Sequence, residues 1–196
     1  ATNAPSALRS KIAGDIEGAG GRINAYTSFD VTVYHATLPS DQLEVGIDVL
    51  TDAVLHASFD PDEIDREIEV VLEEIRRGED SPFQVLGDAV FEHVFTTHPY
   101  RAPILGTPAS VAAFDRARVR GFFERWYAPD QLTLVAAGDF DRALLLARVR
   151  EAFAGAAPSR ARRERPSEPR QHGLRSFVLP RRFERANLEL AWRGVE

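Results

Sequence analysis

Cysteine and methionine are both absent from the 196 residues, and lysine occurs once, at Lys11. Without cysteine there are no disulfides and no thiolate metal sites, so a metal ion would have to be held by His, Asp or Glu. That ligand set suits a catalytic zinc better than a structural one. Without methionine, and with Ala1 as its first residue, the sequence reads as a processed protein or a fragment, and no signal or transit segment is visible. Basic residues are otherwise all arginine, which reflects genome composition and carries no functional weight. No apolar run approaches the length of a membrane span. Positive charge is not in excess: a formal net charge of −6 gives no electrostatic case for nucleic acid or an anionic membrane as partner. GxSxG, a Walker-type glycine loop, HExxH and HxxEH are all missing. His35, His56, His93, His98 and His172 are scattered, and read as structural or surface residues. What is present is an ordinary globular composition, 44% hydrophobic, with a length that fits one domain or one domain and part of a second.

The segment from Phe59 to Pro82 is the most informative. Its pattern predicts one helix, with Ile64, Ile68, Val71, Leu72 and Ile75 in a single apolar arc. Glu67 and Glu74 lie seven positions apart, two helical turns, and so stack on one side beside that arc. Glu69 and Glu73 are expected to point to solvent. A carboxylate held among apolar neighbours needs a partner, because burying a lone charge is costly. A metal ion is one such partner, and an arginine on a neighbouring element is the commoner one.

Around this helix the pattern predicts a mixture of elements. Ser6 to Glu17 reads as a helix stopped by a glycine-rich signal at Gly18–Gly21. Arg22 to Leu38 reads as an antiparallel hairpin with Phe29-Asp30 near its middle. Helices are expected from Pro39-Ser40 to about Ser58, over Pro82–Phe95 with Ser81 as N-cap, over Pro108–Phe114, over Asp115–Tyr127 and over Asp141–Phe153. Gln131–Gly138 is expected to be a buried strand, and Arg175–Leu179 and Ala186–Trp192 two further strands. Gly155–Gln171, rich in Pro, Ser and Arg, reads as a linker. Regular βαβ alternation is absent, so the expected class is α+β, with helices packed on a mostly antiparallel mixed sheet. The extended segment Gly20–Ser28 has one further property: if it lies at a sheet edge, it can accept a peptide as an added strand. An ordinary internal strand has the same pattern.

Taken in order, several pieces carry a resemblance. They are Gly20-Gly21 with Asn24-Ala25-Tyr26-Thr27-Ser28, Arg66-Glu67 through Glu73-Glu74-Ile75, and His98-Pro99-Tyr100 with Ile104-Leu105-Gly106-Thr107. Tyr127-Ala128-Pro129-Asp130 leading to Leu134–Asp139 completes the series. With these the chain resembles the pitrilysin/insulinase family of zinc metallopeptidases, the inverzincin group that includes the mitochondrial processing peptidases. The resemblance implies a pitrilysin/insulinase-type α/β roll, incomplete at both ends. It implies a first metallopeptidase domain over residues 1–154 that lacks its N-terminal strands and HxxEH helix. A linker over 155–172 and the first strands of a second domain over 173–196 would follow.

It also implies roles. Glu74 is the position of a Zn2+ ligand, and Glu67 that of an acid supporting the catalytic centre from behind, where such groups orient ligands and tune the metal. Asn24 and Ala25 are positions on the strand that pairs with a peptide substrate. The implied chemistry is zinc-promoted hydrolysis of peptide bonds, inside a chamber closed by a second homologous half or subunit. Because HxxEH is absent, the chain by itself is expected to be inactive. The alternative within the same family is a non-catalytic partner subunit, and retention of Glu67 and Glu74 together favours the peptidase.

Overall fold

The structure is a computed structural model that describes residues 13–192 and residue 194. Residues 13–18 are helical (α1), and the part of the predicted first helix before residue 13 lies outside the described residues. Then come β1 (Arg22–Thr27), β2 (Thr32–Thr37), α2 (Leu43–Leu55), α3 (Pro61–Glu79), α4 (Pro82–Val94), α5 (Pro108–Ala112), α6 (Arg116–Trp126) and α7 (Arg142–Ala152). Short 3-10 turns occupy Ser40–Gln42, Pro99–Arg101 and Pro129–Gln131. None of the helices described is long and apolar enough to cross a membrane.

The α+β expectation holds, and the caps show why the elements start and stop where they do. α1 ends in a Schellman turn: Gly21 N–H donates to the Ile16 carbonyl at 2.8 Å and Gly20 N–H to that of Glu17 at 2.9 Å. Gly20 takes the required positive φ of 78°. Gly21 is needed for a different reason, since a Cβ there would stand 2.6 Å from the Thr37 carbonyl oxygen. Ser81 caps α4 by accepting from Gln84 N–H at 3.4 Å, with Pro82 as first helical residue, as the sequence predicts. Thr107 and Ser110 form a reciprocal capping box at α5. Asp115 and Asp141 cap α6 and α7.

β1 and β2 form the predicted antiparallel hairpin, with Arg22 opposite Thr37 and Thr27 opposite Thr32. Among the described residues the sheet contains these two strands only. The expected buried strand at Gln131–Gly138 is not formed, and Leu134 and Val135 are 55% and 82% exposed. Arg175–Leu179 and Ala186–Trp192 likewise lack strand structure, with Val178, Leu188 and Trp192 exposed. The physical reason is common to all three. Alternating apolar residues favour an extended backbone, but a strand exists only where a neighbour completes its hydrogen-bond ladder, and the described residues offer none there.

The chain divides into two compact units: Ala1–Glu67 with Phe114–Arg162, and Ile68–Ala113 with Arg163–Glu196. In the first, Ile16 is fully buried and joins Ala25, Ile47, Val49, Ala128 and Leu145 as its core residues. α2 packs on α7 there, and Arg148 reaches Glu44 at 2.7 Å across that contact. Exposed pairs of this kind add little stability. In the second unit Ala89, Val90 and Val111 are buried. There Phe91, Phe95, His98 and Tyr100 form an aromatic cluster where α4 meets the Pro99–Arg101 turn.

Candidate functional site

α3 begins from a strained residue. Phe59 has a φ of 52°, a left-handed conformation that is costly for a bulky side chain. Two contacts hold it. Arg116 Nε donates to the Phe59 carbonyl at 2.7 Å, and the Phe59 ring meets Phe123 edge-on with centroids 5.0 Å apart. Asp60 then starts the helix, its carboxylate accepting from Asp62 N–H at 2.9 Å and its carbonyl from Ile64 N–H at 3.0 Å. Acidic Asp62 and Glu63 occupy the first turn, and basic Arg76 and Arg77 the last, which complements the helix dipole.

The helix runs unbroken for 19 residues. Glu67 and Glu74 are both half-buried, on one side, about 10 Å apart along the axis. Ile64, Ile68, Val71, Leu72 and Ile75 are half-buried as well, and Glu69 is exposed. Glu73 departs from the expectation of a purely solvated side chain. It is partly covered and accepts from Arg76 at 2.6 Å, with Arg77 at 3.6 Å. These spacings, with the acid N-terminal to the base, are the favourable helical arrangement. The pairing engages both arginines of the helix's last turn. Glu74 has no ion pair among the described residues.

The second sequence-derived feature is β1. Ser28 N–H donates to the Val31 carbonyl at 2.8 Å at the hairpin turn. Hydrogen-bonded and non-hydrogen-bonded pairs alternate from there, which makes Ala25 and Tyr34 a non-hydrogen-bonded pair. The N–H and C=O groups of Ile23, Ala25 and Thr27 therefore point away from β2, along the edge of the strand. Ala25 N–H does not stand bare: the Asn24 side-chain oxygen accepts from it at 2.8 Å. Ala25 as a whole is 5% exposed, so its methyl is buried and its edge-facing backbone is largely covered. Beneath the hairpin Tyr34 Oη meets Tyr127 Oη at 2.9 Å. Burial first, then the neighbouring Tyr127, pushes the Tyr34 phenol above the ordinary tyrosine range.

Among the described residues no three His, Asp or Glu side chains come together to hold a metal ion. Glu67 and Glu74 are two carboxylates on one helix, and the chain's histidines do not join them, so the residues present do not complete a zinc site. The fold also uses residues structurally in ways that their sequence positions do not mark. Arg116 and Phe123 hold the entry to α3, and Asp130 and Glu168 gather backbone amides. These are long-range contacts of single residues in loops or on helix surfaces, and no local spacing marks them.

Residues 2–108 match the family profile described as Insulinase (Peptidase family M16), and residues 113–196 match one described as Peptidase M16 inactive domain. An uncharacterised zinc protease of Mycobacterium leprae is 37% identical over 158 residues, covering 81% of this chain and 35% of that protein. The uncharacterised zinc protease YmxG of Bacillus subtilis is 28% identical over 186 residues, covering 95% of this chain and 45% of its own length. The chain thus spans less than half the length of these relatives. An M16-like peptidase from Alicyclobacillus acidocaldarius superposes with a TM-score of 0.73 at 22% identity, over 85% of this chain and 42% of that one. The periplasmic protease PqqL from Escherichia coli does so with a TM-score of 0.66 at 27% identity, over 81% of this chain and 18% of its own. Profile matches that run in order along nearly the whole sequence, over the same motifs that carry the resemblance, place the chain in the M16, or insulinase, family of peptidases.

Proposed function

We propose that this chain is part of a zinc-dependent endopeptidase that hydrolyses peptide bonds in peptides or unfolded segments. In this reading Glu74 is the zinc ligand that α3 contributes, and Glu67, two turns earlier, supports the centre from behind. β1 is the strand on which substrate is laid, with Ala25 offering its edge N–H and C=O once the Asn24 side chain moves aside. The two histidines and the general base of HxxEH are not in this sequence, so the chain alone neither retains zinc nor cleaves peptides. A second homologous half or subunit would close the chamber over the substrate.

The observation that carries the reading is electrostatic. Two half-buried carboxylates share one side of an unbroken helix, and Glu73 takes both arginines of its last turn, leaving Glu74 without an ion-pair partner among the described residues. A carboxylate so placed is suited to a cation supplied from outside the helix.

The test is made in the full-length protein. Glu74→Gln is expected to lose both bound zinc, measured by atomic emission, and peptidase activity. Glu67→Gln is expected to keep the fold and weaken zinc by about 10- to 100-fold, the usual effect of removing a supporting carboxylate. A Glu74→Gln protein that still carries one zinc and turns over peptide at the original rate would refute the ligand assignment.

A further inference from the structure

Residues 155–171 have the composition of a flexible linker, rich in Pro, Ser and Arg and poor in apolar side chains. Their hydrogen bonds say otherwise. At the near end, in the first unit, the Asp130 carboxylate accepts from the backbone N–H of Ser159 and of Arg160, both at 2.9 Å. Gln131 Nε2, beside it, donates to the Ala161 carbonyl at 3.2 Å. Arg160 takes a φ of 55°, a turn that helps aim successive amides at one anion.

At the far end, in the second unit, the Glu168 carboxylate is received by the loop just before Pro99. Oε1 accepts from Thr96 N–H at 2.7 Å and from Thr96 Oγ1 at 2.5 Å. Oε2 accepts from Thr97 N–H at 2.8 Å, from Thr97 Oγ1 at 3.1 Å and from His98 N–H at 2.8 Å. Three consecutive amides and two hydroxyls thus converge on one carboxylate from about seventy positions along the chain. Bonds to a charged acceptor are the strong kind, and a cradle of consecutive amides is a recurrent anion-binding geometry.

Two contacts extend this anchorage. Arg175 Nη2 donates to the Val94 carbonyl at 2.9 Å, satisfying a carbonyl at the C-terminal end of α4. Phe177 stacks on the His93 ring with centroids 3.8 Å apart.

We propose that Thr96-Thr97-His98 is a carboxylate-binding cradle with Glu168 as its built-in occupant, and that residues 155–171 form a strap latched at both ends, by Asp130 and by Glu168. Each latch lies within one unit and is independent of the other. The far latch, with Arg175 and Phe177, sets the direction in which the chain leaves the strap, and the chain is not free to swing there. The charged and titratable groups near Glu168 along the same recess are Arg170, His172 and Arg175, with His98 in the cradle itself. Partial desolvation works against ionisation of Glu168, but the bonds from Thr96, His98 and Thr97 outweigh it and hold its carboxyl well below the usual range.

Hydrogen–deuterium exchange on the intact protein tests the strap. In the unmodified protein the amides of residues 96–98 and 159–160 are expected to exchange at least about tenfold more slowly than the same sequences in a free peptide. Glu168→Ala is expected to release 96–98 while leaving 159–160 protected, and Asp130→Ala to do the reverse. Thr96→Val with Thr97→Val removes the hydroxyls but keeps the amides, and is expected to fall between. Protection of the β1–β2 hairpin in the first unit and of α4 in the second reports that each variant is folded. Free-peptide exchange rates at both sites in the unmodified protein would overturn the proposal, a result that needs no variant at all. So would a folded Glu168→Ala protein with unchanged protection at 96–98.

Discussion

Asn24 Oδ1 accepts a hydrogen bond from Ala25 N–H at 2.8 Å, and so covers a backbone donor on the outer edge of β1. Unpaired edge donors invite other strands, and native proteins protect them. Asn24→Ala is expected to leave that donor to water, costing about 0.5–1 kcal/mol by urea unfolding. It is also expected to raise self-association, measured by sedimentation velocity. A variant with unchanged stability and unchanged association would show that the side chain has no protective role.

Tyr34 and Tyr127 are joined through their hydroxyls at 2.9 Å. Tyr34→Phe leaves Tyr127 with one partner fewer in a partly buried place, and a loss of about 1–2 kcal/mol is expected. Adding Tyr127→Phe should recover part of it, and a double-mutant cycle measures how much.

Because the Tyr34 phenol is pushed upward, chiefly by burial and then by Tyr127, its stability effect has a defined sign. The contribution is fully present below the ordinary value of 10.0 and is lost as pH rises above it, where the unfolded chain ionises and the folded one resists. The loss of stability as pH rises above 10.0, measured by tryptophan fluorescence relative to each protein's own stability at neutral pH, should therefore be smaller in Tyr34→Phe, and an unchanged pH dependence would contradict this account.

Glu168 behaves in the opposite sense. Its folded carboxyl lies below the unfolded value of 4.5, since the donated bonds outweigh desolvation. The latch is fully present above that value and weakens as pH falls below it through the folded value. Amide protection at residues 96–98, corrected for the intrinsic pH dependence of exchange, is expected to persist at about pH 4, near the model-peptide value for Glu. Loss of that protection at about pH 5, with the hairpin intact, would contradict the carboxylate's role.

Arg116 supports the left-handed backbone at Phe59 through a 2.7 Å bond to its carbonyl. Arg116→Ala is expected to cost about 1–2 kcal/mol and to increase exchange in the first turn of α3, because the strained turn loses a brace. Arg116→Lys should restore only part, since an ammonium does not reproduce the directed Nε donor.

Local chemistry made much of the chain legible before folding was considered. The glycines after α1, the hairpin, Ser81-Pro82 and the apolar arc of α3 depend on nearby residues, and the structure reproduces them. The same holds for the stacking of Glu67 and Glu74, which follows from helical geometry once the helix is granted. The motif order also sufficed to indicate the family. The strands expected at Gln131–Gly138, Arg175–Leu179 and Ala186–Trp192 are not formed, because a strand depends on a neighbour as well as on its own pattern.

Tertiary structure alone decided which partners polar groups take. Tyr34 meets Tyr127, Arg116 braces Phe59, and Glu168 reaches Thr96–His98 from a distant part of the chain. The physical reason is that sequence spacing sets the direction of a side chain only within an element. Which amide, carbonyl or cation lies in that direction depends on how distant segments are brought together. A segment with a linker's composition can thus be held at both ends, because two carboxylates find backbone donors that no periodicity announces.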